Sequence, residues 1–177
     1  MKINLRRVTT GAVLIAAASA FLFCTGFTKA SDHGNHENGY LKSATYYSDD
    51  WVINFWNSES SHMDEELKQI REDGFNSIIL VVPWREFQPS MAPEHYNDYA
   101  WEKFDRVMKA AKAQDLKVML RVGYTWDYYS SENVLARYEK LLYDSETKKA
   151  WLHYAKRLYE KASAYDNFSG GFITWED

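Results

Sequence analysis

The stretch from Ser77 to Tyr124 reads SIILVVPWREFQPSMAPEHYNDYAWEKFDRVMKAAKAQDLKVMLRVGY, and it decides the fold class. SIILVVPW (77–84) is apolar at successive positions, the pattern of a strand covered on both faces. YAWEKFDRVMKAAKAQD (99–115) brings Trp101, Phe104, Met108 and Ala111 to one side at helical spacing. LKVMLRVGY (116–124) is a second strand-like run. A strand, a helix and a strand in that order predict a parallel pair joined by a right-handed crossover.

The same alternation extends in both directions. Upstream, WVINFW (51–56) is expected as the first strand. SHMDEELKQIREDG (61–74) is expected as a helix, with Ser61 and Asp64 at capping-box spacing and Gly74 as its stop. Met63, Leu67 and Ile70 fall on one face of that helix. Downstream, residues 131–164 read as helical with a break near DSET (144–147), where Ser145 is placed to cap a second helix. Trp151, Tyr154, Leu158 and Ala162 mark its inner face, and GGFITWED (170–177) closes the series as a fourth strand. The order β-α-β-α-β-α-β predicts an α/β protein with a parallel sheet. No repeat is visible at residue level. The recurrence is architectural.

The first thirty residues are expected to lie outside this fold. Lys2, Arg6 and Arg7 precede an apolar stretch from Val8 to about Phe23, and TKA (28–30) supplies small residues for cleavage. That is the pattern of a secretory signal peptide, and the apolar stretch is short for a membrane span. A secreted, periplasmic or cell-surface location follows, with no membrane attachment after cleavage. Residues 31–48 read as a flexible polar segment, and residues 49–177 as the folded domain. His33 and His36 have no further ligands at metal-binding spacing, so no metal is expected.

Cleavage removes the lone Cys24, so no disulfide is expected in the mature chain. It also removes four of 21 basic residues and none of 25 acidic ones, taking the formal charge from -4 to -8. A surface of that sign disfavours nucleic acid. Aromatic residues make up 16% of the chain, with seven Trp and thirteen Tyr, enough both to fill a core and to offer flat faces to sugar rings. The sequence contains no Gly-rich phosphate loop and no nucleophile elbow, and no cofactor is implied.

Residues 81–120 carry a resemblance. Trp84, Phe87 and Pro89 follow the second strand, then Tyr99, Trp101, the Asp105–Arg106 pair and the entry DLKVML (115–120) to the third. This constellation resembles clan A glycoside hydrolases, the retaining glycosidases built on (β/α)8 barrels, and the resemblance extends over about 51–177. It implies an incomplete TIM barrel, the first four strands only. It also implies a carbohydrate substrate cleaved with two carboxylates. In that clan a glutamate at the tip of strand four is the general acid/base, which is the position of Glu176 here. Trp175 stands where asparagine is usual. Strand two, Ile78 to Val82, lacks the arginine many members place near the carboxylates, and Arg121 on strand three is its candidate substitute. The nucleophile of the clan lies on strand seven, beyond residue 177. A complete barrel needs about 250 residues, so the chain is expected to be a fragment of a longer reading frame and inactive alone. A non-catalytic carbohydrate-binding barrel is the alternative, favoured by Trp175.

Retaining glycosidases hold their two carboxyl groups about 5–5.5 Å apart, one protonating the leaving oxygen and one attacking the anomeric carbon. Strand alternation sends Glu176 and Asp177 to opposite faces, so these neighbours are not that pair. Arg121 shares a face with Met119 and Gly123 and is expected to point into the barrel, either holding a carboxylate ionised or forming a structural ion pair. Tyr124, Trp126 and Asp127, after strand three, form a candidate sugar subsite or pack the loop. Asn54 and Trp56 after strand one, Trp84 and Arg85 after strand two, and Trp175 complete the candidate substrate-binding set.

Overall fold

The computed structural model describes residues 40–122 and 136–173. Twelve elements follow one another in this range. Strand β1 (Ser43–Thr45) is followed by a 3-10 turn (Asn54–Asn57), helix α1 (Met63–Glu72) and strand β2 (Ser77–Val82). A helical turn α2 (Trp84–Phe87) and a small hairpin, β3 (Ser90–Met91) with β4 (Glu94–His95), lead to helix α3 (Asp98–Ala113). Strand β5 (Lys117–Val122), helices α4 (Ala136–Tyr143) and α5 (Ser145–Ala162), and strand β6 (Phe168–Ile173) complete the series. The main sheet has the order β1-β2-β5-β6, with every pair parallel. Spatial order therefore repeats chain order, as in the first half of a singly wound barrel.

The fully buried residues of the two central strands show which face the helices cover. Ile78, Leu80 and Val82 of β2 and Val118, Leu120 and Val122 of β5 are fully buried. They share one core with Leu67 of α1, Phe104 and Met108 of α3, and Tyr154 and Leu158 of α5. The opposite face carries Ile79, Met119, Arg121, Gly170 and Phe172, all half-buried, and Val81, which is buried in a small separate cluster with Val52 and Ile53. Helices thus cover one face of the sheet. The other is the face a closed barrel would turn inward.

The first strand differs from expectation. WVINFW is not a strand: Val52, Ile53, Phe55 and Trp56 are buried while Trp51 and Asn54 are exposed. Buried pairs separated by one outward residue follow a three-residue period, which a 3-10 turn satisfies and a two-residue strand alternation does not. The strand lies instead at Ser43–Thr45, inside the segment expected to be a flexible tail. Lys42 and Asn76 fix its start through paired bonds, Lys42 N to Asn76 Oδ1 at 2.9 Å and Asn76 N to Lys42 O at 3.1 Å. The Ser43 and Ser77 hydroxyls lie 2.5 Å apart. Tyr46 is buried just beyond and donates to Glu66 at 2.7 Å. That contact and burial hold its phenol well above the usual tyrosine range.

The helix ends also show which capping signals operate. No side chain caps α1, whereas Gly74 takes φ 82° just past its end, the left-handed stop that glycine permits. Asn97 caps α3 by accepting from Ala100 N at 3.4 Å. The break near residue 144 is real, but Asp144 rather than Ser145 caps α5, accepting from Thr147 N at 2.8 Å and from its hydroxyl at 2.5 Å. These bonds hold the Asp144 carboxyl below the usual aspartate range.

Candidate functional site at the carboxyl ends of the strands

In a singly wound parallel fold the residues that meet substrate gather where the strands end. Here the end of β2 is held by two aromatic donors. Trp56 Nε1 donates to Val81 O at 2.9 Å, and the Tyr154 hydroxyl donates to Val82 O at 2.7 Å, both inside the core. Trp84 stacks on Tyr154 with centroids 6.4 Å apart and donates Nε1 to Gln88 Oε1 at 2.5 Å. Burial raises the Tyr154 phenol well above its ordinary value, which keeps it a donor at any physiological pH.

These contacts reassign two candidate residues. Trp56 and Trp84 are both 0% exposed, so neither ring presents a face to a sugar. Covering the sheet further adds burial and cannot uncover them. Their role is to fix the end of β2, from which Arg85 and the following turn project. Of the tryptophans described, Trp51 is the one left outward, at 58% exposure. It sits three residues from exposed Asn54, so both lie on the outward side of the turn after β1. Sequence reading missed Trp51 because it was counted as a strand residue; the three-residue period of its neighbours was the available signal.

Arg121 lies where expected. It pairs in register with Val81 on one side and Phe172 on the other, and residues in register in a parallel sheet project to the same face. Arg121 is half-buried and so belongs to the face the helices leave uncovered. Arg85 is half-buried in α2. The candidates Tyr124, Trp126, Asp127, Trp175 and Glu176 lie outside the described residues.

Two polar clusters at this end were not foreseen. Glu86 is buried, accepts from Asn57 Nδ2, and its backbone carbonyl accepts from Asn97 Nδ2 at 3.0 Å. Asn97 Nδ2 also donates to Asn57 Oδ1 at 2.8 Å, so one asparagine caps α3 and ties together the connections after β1 and β2. In the second cluster, Gln88 Nε2 and the Tyr96 hydroxyl donate to Glu94 Oε1 at 2.8 and 2.5 Å, with His153 Nδ1 at 3.5 Å. The Tyr96 bond is the main influence holding the Glu94 carboxyl low, and burial followed by that same bond pushes Tyr96 up to about 12. Lys103 is fully buried below the first cluster. Its ammonium donates to Phe55 O and, at 2.8 Å, to Ser58 O. Burial lowers its pKa to about 8. Among the described residues no group of His, Cys, Asp and Glu is arranged to hold a metal ion.

The fold and its one-sided helical cover define an incomplete (β/α)8 barrel, and solved structures share this shape. A GH5_18 protein from Bifidobacterium longum, in complex with Manb1-4GlcNAc, matches with a TM-score of 0.62 and 20% identity, over 76% of this chain and 33% of its own. The exo-beta-1,4-mannosidase Op5Man5 from an Opitutaceae bacterium matches at 0.62 and 17%, over 76% and 24%. Thermotoga maritima Cel5A in complex with cellobiose matches at 0.54 and 16%, over 76% and 40%. The chain thus spans about a third of the length of these barrels. No family model and no curated protein matches the chain.

Proposed function

We propose that this chain is the first half of an exported retaining glycoside hydrolase that cleaves a poly- or oligosaccharide, with Glu176 as general acid/base. The observation that carries the reading is the register Val81–Arg121–Phe172, which assigns Arg121 and Phe172 to the uncovered face at the carboxyl end of the sheet. Were the two-residue alternation expected from the sequence to continue past Phe172, Glu176 would share that face. A guanidinium there favours the ionised form of a nearby carboxylate. This suits a nucleophile supplied by a later strand, and in this reading the role of proton donor falls to Glu176. The solved barrels of this shape include a mannosidase and proteins holding Manb1-4GlcNAc or cellobiose, which supports a β-linked glycan as substrate.

The test is hydrolysis of an unactivated β-1,4-linked oligosaccharide by a protein carrying this half in a complete barrel. Glu176→Gln is expected to reduce kcat by 10³-fold or more on such a substrate, with activated aryl glycosides losing less, because a good leaving group does not need the proton. Undiminished hydrolysis would reject the assignment. The second reading, a non-catalytic carbohydrate-binding barrel, is favoured by Trp175 at the position where asparagine is usual. Glycan binding without hydrolysis in the complete protein would establish it. Export is tested by recovering the protein outside the cytoplasm with its amino terminus near Ser31.

A further inference from the structure

At the rim of the same sheet end, the β3–β4 hairpin faces the junction of α4 and α5 across an open groove. Its position follows from α5: Tyr154 reaches Val82, the last residue of β2, so the helix turns before Tyr154 rise past the strand ends. The groove has a larger lobe of about 470 Å³ and a smaller one of about 140 Å³, and Met91 and Glu146 line both. The larger volume falls within the roughly 300–1,000 Å³ usual for small-molecule sites.

The lining has the chemistry of a site for a neutral polyhydroxylated ligand. Met91 and Ala92 are the apolar members of the larger lobe's lining, and Tyr143 lines the same lobe at 72% exposure. A tyrosine that exposed beside a recess offers its ring to an apolar sugar face, with a hydroxyl at the tip. Both signs of charge surround these residues, with one more carboxylate than ammonium group. Glu94, Asp144 and Glu146 contribute carboxylates, the Asp144 group being the α5 cap, Lys140 and Lys149 contribute ammonium groups, and His153 lines the smaller lobe. The small excess of negative charge disfavours an anion, while acceptors and donors beside apolar side chains match alternating hydroxyls. Glu94 is held in place for this task, since Gln88, Tyr96 and His153 all contact its Oε1. A carboxylate so held keeps a second oxygen with acceptor capacity.

We propose that this groove binds a stretch of glycan beyond the barrel mouth, with Tyr143 as the stacking surface and Glu94 and Glu146 as hydroxyl acceptors. The proposal rests on the carbohydrate reading above and extends the substrate to chains long enough to reach the outer rim. The test uses the chain as it is, with mannohexaose and cellohexaose titrated calorimetrically. One of the two is expected to bind. Tyr143→Ala should weaken that binding tenfold or more and Glu146→Ala severalfold, whereas Tyr143→Phe should keep it within about twofold. Leu152→Ala, an equally exposed change on α5 outside the groove lining, should leave it unchanged. Because Tyr143 is exposed, its variants should keep the wild-type circular dichroism and melting temperature. Absence of binding by the wild-type chain, or Tyr143→Ala binding as tightly as wild type, overturns the proposal. Hydrolysis is not read in this experiment, so its failure leaves the Glu176 assignment standing, and failure of that assignment leaves the groove result standing.

Discussion

Gly171 lies on β6 beside Leu120, and a methyl group there has nowhere to go. A Cβ built on Gly171 would sit 2.5 Å from the Tyr159 hydroxyl, 2.8 Å from the Leu120 carbonyl oxygen and 3.3 Å from Leu120 Cβ. The tyrosine tip can swing aside at modest cost, but the carbonyl belongs to the central strand and moves only with the sheet. Overpacking of this kind costs about 1–3 kcal/mol, against which the entropy gained by replacing glycine returns about 0.4–1 kcal/mol. Gly171→Ala should therefore lose roughly 1–2 kcal/mol, measured as a lower urea midpoint at unchanged slope. Tyr159→Phe removes the nearest atom while leaving the carbonyl. In that background the alanine penalty should shrink but persist, giving a coupling energy of about 0.5–1 kcal/mol in a double-mutant cycle. A neutral or stabilising Gly171→Ala would show that β6 does not lie against β5 in this register, and the placement of Phe172 beside Arg121 would fall with it.

Three further outcomes follow from the same geometry. Trp84→Ala should cost about 3–5 kcal/mol, whereas Trp51→Ala should change stability by less than about 0.5 kcal/mol, and parallel urea titrations would check this split between a core ring and an outward one. Asp144→Ala should lower the melting temperature through loss of the α5 cap. Lys103 titrates near 8 when folded against an ordinary 10.5, so between these values the unfolded chain holds the extra proton. The cost of burying the ammonium is therefore greatest below pH 8 and fades as pH rises toward 10.5, by at most about 3 kcal/mol. The stability of wild type relative to Lys103→Met should accordingly rise between pH 7 and 10, and a flat difference would contradict the burial of a charged lysine.

The helices and central strands were legible because their apolar periods are long and unbroken. β2 and β5 were readable from continuous apolar runs, and α3 from Trp101, Phe104 and Met108 on one face. The first strand was not, for two physical reasons. Ser43–Thr45 is three residues long and owes its place to Asn76 and Ile79 on the neighbouring connection and strand, contacts no local pattern announces. WVINFW is rich in strand-favouring residues, yet its burial follows a three-residue period that tertiary packing selects. The candidate site divides along the same line. Arg121 was assigned to the right face by alternation alone. Trp56 and Trp84 were taken for sugar platforms because their position after a strand is visible in sequence, whereas their burial against Phe87 and Tyr154 is not. The Glu86–Asn57–Asn97 cluster joins residues far apart in the chain and left no signal beyond the capping position of Asn97.

The account depends on a parallel sheet covered by helices on one face, with Arg121 on the other. Cysteine accessibility along β5 measures this directly, because the sequence holds a single cysteine, Cys24. In the chain lacking residues 1–30, Met119→Cys and Arg121→Cys should react with a thiol reagent at least a hundredfold faster than Leu120→Cys and Val122→Cys, under conditions where all four remain folded. Equal protection at all four positions would mean helices on both faces, and neither a half barrel nor a shared hollow for Arg121 and Glu176 would survive it.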